Sequence, residues 1–510
     1  MSETIVKKVN FGVDARNAVM AGIEKLAKAV QSTLGASGKC VLLEDGQGKP
    51  VITKDGVSVA EAITLLDPVE NMGARLIKQA AKKTVEEAGD GTTTATVLAY
   101  AILLEALKQE HISIRNLKTG IDLAVEEVVK YLERRSVPVK GDMLDNVASI
   151  SANNDNKIGG IIAEAFRSVD LTGVVTMEIS NNEETTFELT KGGVFDSGLK
   201  SRDLATNETK DEAVLDKPYV LVSETKIESI RKIQSVLETT IKSGRALLII
   251  ADVEKEVLNT LTLNKLKGAI KVNVIDPPYY GPLRKEKFND LALITGATVI
   301  NEDLGDDLDL IDASMLGEVV KTTTNTNETI FTIESNEDIK KAADKIKEDL
   351  RTETDGMKIQ KLERRLGLLE GKIAVVKVGA ETEVELKELA DRVEDAICAV
   401  KAAVKEGIVP GGGVALLNAS VHVKAKDDAM QVLLDAIKAP YLTILDNAGI
   451  DPVFPQRAGM GLNVVNGKNV NMVKAGIIDP LLVTKSALKN AASVATTILS
   501  TDCVINNLRA

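Results

Sequence analysis

A multi-domain α and α/β fold is what this sequence predicts, with a mostly helical domain assembled from both chain ends and strand-bearing portions set between them. Three observations carry that expectation. The chain has 510 residues, more than one hydrophobic core usually organises, so two or three domains follow. Apolar residues recur at helical spacing from Asp14 to about Arg135 and again beyond Asp428. Between those ends the pattern changes to strand, helix, strand, helix, strand, as in a βαβ layer. Hydrophobic content of 44% and charged content of 27% are ordinary for a globular protein.

Composition also excludes chemistry. Aromatic residues are 3% with no Trp, so the core is built from Val, Ile, Leu and Ala. The net charge of −12 argues against nucleic acid, which needs clustered Lys and Arg. Cys40, Cys398 and Cys503 lie far apart without metal-ligand spacing, and His111 and His422 are the only histidines, so disulfide, zinc and His-based triad readings fall away. Catalysis has to rest on carboxylates, lysines, hydroxyls and backbone. No apolar run reaches membrane-spanning length and none resembles a signal peptide, so a cytosolic protein without a membrane partner is expected.

In chain order, Val19, Ile23, Leu26, Ala27, Val30 and Leu34 give a helix over 14–34, with Asp14 as its cap, running into Thr33-Leu34-Gly35. Strands at 40–44 and 50–53 form a hairpin ending in Lys54-Asp55-Gly56. Helices follow over 58–65, 73–87, 93–108 and 116–134. Between the second and third lies Gly89-Asp90-Gly91-Thr92-Thr93-Thr94-Ala95-Thr96. Glycines permit close backbone approach, and a helix N-terminus attracts anions, so this stretch suits a phosphate with Asp90 on a hard cation. A turn with Thr92 or Thr93 as an N-cap explains it equally well.

Ser136-Val137-Pro138-Val139 marks a boundary. Beyond it come helices at 142–147 and 157–169, strands at 173–178 and 186–189, then the alternating block from Gly192 to about Gly371. That block has strands at 219–223, 246–252, 271–274 and 329–333, and helices at 227–242, 254–267 and 338–369. A strand at 374–379 leads into a helix over 383–405, whose stripe of Val393, Ala396, Ile397, Val400 and Val404 leaves Asp395 facing solvent or a cavity. Gly411-Gly412-Gly413 then permits close approach of a ligand or another helix. Helices at 428–447, kinked at Pro440, and 483–499 complete the pattern.

Six motifs lie in one order along the chain: Thr33-Leu34-Gly35, Thr53-Lys54-Asp55-Gly56-Val57-Ser58-Val59, Gly89-Asp90-Gly91-Thr92-Thr93-Thr94-Ala95-Thr96, Ile150-Ser151-Ala152-Asn153, Arg392-Val393-Glu394-Asp395-Ala396 and Gly411-Gly412-Gly413-Val414-Ala415-Leu416. Together they resemble the GroEL-type (group I) chaperonins over essentially the whole chain. The resemblance implies a GroEL-like chaperonin fold with a mostly helical equatorial domain at 1–134 and 407–510. It implies a small α/β intermediate domain at 135–190 and 374–406, and an α/β apical domain at 191–373. It also implies a homo-oligomeric ring of seven subunits, single or double, that binds ATP with Mg²⁺, encloses unfolded polypeptides and works with a GroES-like lid. Potassium is a further cation it suggests.

Carried over residue by residue, Asp90 ligates Mg²⁺, and Gly91, Thr92, Thr93 and Thr94 hold phosphates. Thr33, Leu34, Gly35 and Lys54 line the site, Gly412 packs near the adenosine, Asn463 near the base and Asp479 on the ribose. Asp55 and Asp395 orient the attacking water, and the intermediate domain brings Asp395 in after ATP binds. Ile233, Leu237, Leu258, Leu261 and Leu263 are the polypeptide-binding candidates, each also readable as helix core.

Several positions depart from the family's pattern. Gln234 and Thr262 replace apolar groove residues, and Leu199, Asp203 and Leu204 stand where aromatics are typical. A charge such as Asp203 in a polypeptide-binding rim weakens capture of apolar segments and alters lid docking. Leu442 replaces an arginine of the ring-to-ring face, Lys372 a hinge glycine, and the Gly-Gly-Met tail is missing. The expected function is an ATP-hydrolysing chaperonin; the alternative is a ring-forming scaffold with reduced client capture or lid-independent cycling.

Overall fold

In the computed structural model, described residues are 7–44, 48–109, 111–169, 174–180, 182–207, 211–277, 284–334, 337–353 and 356–507. The chain divides into two compact units. The first comprises Met1–Ala163, Ile179–Thr185 and Val378–Ala510, the second Glu164–Glu178 and Thr186–Lys377.

The first unit is built on helices Gly12–Gln31, Pro68–Ala88, Thr92–Leu107, Ile114–Arg135, Asp428–Ala436 and Leu481–Leu499. Their inward faces share one core containing Ile23, Leu26, Ile77, Leu98, Ile102, Ile121, Leu433 and Leu488. Pro68–Ala88 begins as its sequence directs. Asp67 accepts from the N–H groups of Val69 and Glu70, and Pro68 occupies the first turn, where a missing N–H costs nothing. At its other end Gly89, at φ +74°, stops it in the left-handed conformation glycine favours. The strand Lys7–Phe11 pairs antiparallel with Cys503–Asn507, a union of the two chain ends that local periodicity does not announce.

The second unit contains two sheets. In one, Tyr219–Ser223, Leu247–Ile250 and Val272–Ile275 are parallel neighbours, Val299–Ile300 pairs parallel with the first, and Gly317–Glu318 antiparallel with it. Leu247–Ile250 and Val272–Ile275 are buried throughout, as strands covered on both faces should be. The other sheet has six strands in the order Val174–Ile179, Lys372–Val378, Thr186–Phe195, Thr329–Ile333, Lys321–Thr324, Ala213–Asp216.

Several sequence expectations need correction. The helix at 14–34 begins at Gly12, so Asp14 lies in its first turn rather than capping it. The stretch 428–447 is two helices, Asp428–Ala436 and Ala439–Asn447, with Pro440 in the opening turn of the second instead of kinking one. Proline's fixed φ suits a first turn. The charged stretch 338–369 is also two helices, Glu337–Thr352 and Gly356–Glu370, and it buries Ile339 and Ile346. The span 227–242 opens with a 3-10 turn at Ile230–Ile233 before the α-helix Gln234–Ser243.

Candidate functional site

The first unit encloses a cavity of about 600 Å³, within the range usual for small-molecule sites. Asp90, Gly91 and the first turn of the helix Thr92–Leu107 line it. Gly91, at φ +100°, is the residue before the helix, and no side chain caps its first turn. The Thr92 hydroxyl is buried and without a hydrogen-bond partner. The sequence's alternative, Thr92 or Thr93 as an ordinary cap, therefore does not hold. Open N–H groups and an orphaned hydroxyl facing one cavity form a ready anion cradle.

Of the six carboxylates among the described residues that line this cavity, Asp55, Asp90, Asp395 and Asp479 are those the sequence singled out. Asp55 caps the short helix Gly56–Ala62, accepting from Val57 N at 3.1 Å and Ser58 N at 2.7 Å, which fixes its direction. Asp90 accepts from its neighbour Gly91 N. Burial raises its carboxyl above the usual range, the Gly91 hydrogen bond opposes that rise, and the charge of Asp55 adds to it. Asp395 projects from the helix Glu383–Glu406 into the same cavity. Its carboxyl is raised well above the usual range by burial, then by the charges of Asp90 and Asp55, with Glu394 and Asp391 contributing less. Asp479 follows Ile478 in the strand paired with Ile408–Pro410. Burial and Asp90 push it to about 7 against hydrogen bonds from the Gly412 and Gly413 N–H groups. Mutual repulsion of this kind shows acids clustered where a cation would be welcome.

A magnesium ion fits this donor set. Among the described residues no cluster of three protein ligands stands ready to hold a metal. Mg²⁺ commonly takes one or two carboxylates and fills its remaining positions with water and substrate phosphates.

Of the other expected residues, Thr33, Leu34, Gly35, Lys54, Thr93, Thr94, Gly412 and Asn463 all line the cavity. Some of their polar atoms already have local partners. The Thr33 hydroxyl donates to Val30 O at 2.8 Å, and the Asn463 side chain accepts from Val465 N at 3.0 Å in its own hairpin turn. Residues not expected from the sequence complete the walls. Asn447 Nδ2 donates to Gln31 O and Leu34 O, each at 2.9 Å, and so holds the Thr33-Leu34-Gly35 turn in place. Tyr441, Ile444, Leu462, Met472 and Ile477 supply an apolar wall. Their helical or strand spacing reads as core, so nothing local distinguishes them.

The polypeptide-binding candidates do not come together as one surface. Ile233 and Leu261 are fully buried in the second unit's core, which corrects their assignment as exposed contacts. They complete the packing beneath the Leu247–Ile250 sheet. Leu237 and Leu258 are partly buried against that core, whereas Leu263 is 57% exposed. Ile241 and Leu266 on the same two helices are also exposed.

The sequence profile of the TCP-1/cpn60 chaperonin family matches residues 26–509. The chain belongs to this family. Its fold agrees: two crystal forms of the chaperonin gp146 from bacteriophage EL 2 (Pseudomonas aeruginosa), both in the presence of ATP-BeFx, superpose with TM-scores of 0.73 and 0.65. The identities are 24% and 23%, and the matches cover 100% of both chains. The protein is thus a diverged chaperonin of this family. No helix among its described residues is long and apolar enough to cross a membrane.

Proposed function

We propose that this chaperonin hydrolyses ATP in the cavity of the first unit and uses the cycle to capture, enclose and release non-native polypeptides. The observation that carries the reading is the convergence of Asp90, Asp395 and the uncapped Thr92–Leu107 N-terminus on one cavity. Phosphates occupy the Gly91-Thr92-Thr93-Thr94 turn, where backbone N–H groups and the Thr92 hydroxyl donate to their oxygens. The apolar wall of Tyr441, Ile444 and Met472 takes the base, and Asp479, beside Gly412, takes the ribose. Asp90 would hold Mg²⁺, which supplies charge neutralisation at the phosphates when bound.

Asp395 is the group best suited to orient water. Its carboxyl, raised by burial and by the charges of Asp90 and Asp55, has a proton affinity useful to a base. We assign Asp55 a supporting role, since its oxygens already cap a helix. By family resemblance the chain divides into the equatorial segments 1–134 and 407–510, the intermediate segments 135–190 and 374–406, and the apical domain at 191–373. Seven such subunits form the ring.

The deciding experiment is Asp395→Ala. ATP binding should persist while steady-state hydrolysis falls by about a hundredfold or more, the scale of a lost general base. Undiminished turnover would remove Asp395 from the mechanism. Chelation of divalent cations with EDTA should likewise stop turnover, and added Mg²⁺ should restore it.

A second reading, a ring-forming scaffold with weakened capture, draws on the second unit's surface. Ile233 and Leu261 are core, and Gln234 donates to Glu238 at 3.0 Å on the exposed face. Refolding yield of a denatured client, measured with and without a GroES-like lid, separates the two. ATP turnover without refolding in either condition favours the scaffold.

A further inference from the structure

Lys54 and Asn153 are far apart in the chain and meet at the cavity wall. Lys54 lies between the strand Pro50–Thr53 and the capping Asp55; Asn153 lies in the turn joining helices Met143–Ser151 and Asn156–Ser168. The Lys54 ammonium donates to Asn153 Oδ1 at 2.9 Å. The turn presenting that oxygen is unusual, because Asn153 and Asn154 are consecutive non-glycine residues at φ +59° and +64°. Left-handed backbone at a side-chain-bearing residue is costly and persists where the surroundings enforce it, often at functional sites. Enforcement here comes from Asn153 N to Ile150 O at 3.1 Å and Asn154 N to Ser149 O at 2.7 Å.

The electrostatics give the contact a purpose. Two cations face this wall. Arg392 is answered by Glu388 at 2.5 Å and Asp155 at 4.0 Å. Lys54, among the described residues, has no carboxylate within ion-pairing distance, and its hydrogen-bond acceptor is a neutral amide. An amide oxygen directs an ammonium without cancelling its charge, whereas a carboxylate would do both.

We propose that Asn153 is a positioning residue for nucleotide turnover, a neutral acceptor that aims Lys54 into the cavity while leaving its charge for the phosphates of ATP. The inference rests on the ATP reading above and deepens it. Burial holds the Lys54 ammonium below the usual lysine range, with Cys40 opposing and Arg392 reinforcing that shift. An arriving phosphate relieves this unfavourable environment.

The test uses the full-length protein with ATP and Mg²⁺, measuring ATP affinity, kcat and KM. Asn153→Asp should weaken ATP binding about tenfold, because the new carboxylate neutralises the lysine. Asn153→Gly suits the left-handed backbone and should leave the melting temperature unchanged or higher. It removes the amide, however, and should still raise KM severalfold. A residue needed only for the turn would give wild-type kinetics as glycine, so wild-type affinity in both variants overturns the proposal. The unsubstituted protein serves as the control. If it binds and hydrolyses ATP while both Asn153 variants behave as wild type, this inference alone falls; if it neither binds nor hydrolyses ATP, the ATP reading falls and takes the inference with it.

Discussion

Thr92 shows how one side chain can look ordinary in sequence and anomalous in structure. Its hydroxyl is buried without a partner, a condition that costs about 1–3 kcal/mol. Thr92→Val keeps the shape and removes the orphan. It should leave stability equal or improved by about 1 kcal/mol while weakening ATP binding, as calorimetry and a nucleotide titration would report. Loss of stability with unchanged affinity would identify the hydroxyl as structural. Asp479 makes a pH-dependent case. Its carboxyl titrates near 7 in the folded protein against a usual 3.8. Between those values the folded chain keeps a proton that the unfolded chain has released, so stability falls as pH rises through that window and is fully present below it. In nucleotide-free protein, Asp479→Asn should therefore gain melting temperature over wild type as pH goes from about 5 to about 8. A constant difference across that range would contradict the burial of the carboxyl.

Elements were legible wherever periodicity and caps agreed. The stripe along 383–405 anticipated the helix Glu383–Glu406, and Asp395, placed off it, does line a cavity. From local spacing alone Asp55 reads as the acid of an Asp-Gly turn, because its capping role depends on where the next helix starts. Pro440 misled for a similar reason: proline forbids a helix interior but welcomes a first turn, and local sequence does not say which applies. The convergence of six distant motifs on one cavity came from family resemblance, since no spacing rule links Asp90 to Asp395. The left-handed Asn153-Asn154 pair and the buried Thr92 hydroxyl needed coordinates. The Gly411-Gly412-Gly413 junction offers a graded test of close approach. A Cβ at Gly413, φ +74°, would sit 2.5 Å from the Tyr441 backbone nitrogen, whereas one at Gly412, φ +63°, would meet the flexible end of Met472 at 3.3 Å. Gly413→Ala should cost about 2–4 kcal/mol through backbone strain and overpacking. Gly412→Ala should cost less, and denaturant midpoints would rank them. Equal losses would mean that backbone conformation alone sets the requirement.

At the level of the whole molecule the two units differ in how the chain builds them. Residues 186–377 are continuous and carry five strands of one sheet, all of the other, and their own cores. An isolated fragment of that span should unfold cooperatively with native-like circular dichroism; a broad, non-cooperative transition would show that its core depends on flanking chain. The first unit has no such independence. Its helix Thr92–Leu107 packs against Leu481–Leu499, and the strand Lys7–Phe11 finds its partner only at Cys503–Asn507. On the ribosome, at about 5–20 residues per second, the early helices emerge roughly 20–75 s before that late helix, leaving Leu98, Ile102 and Leu103 without their final cover. A member of the chaperonin family is itself, for most of its synthesis, an unfinished chain with greasy helices exposed.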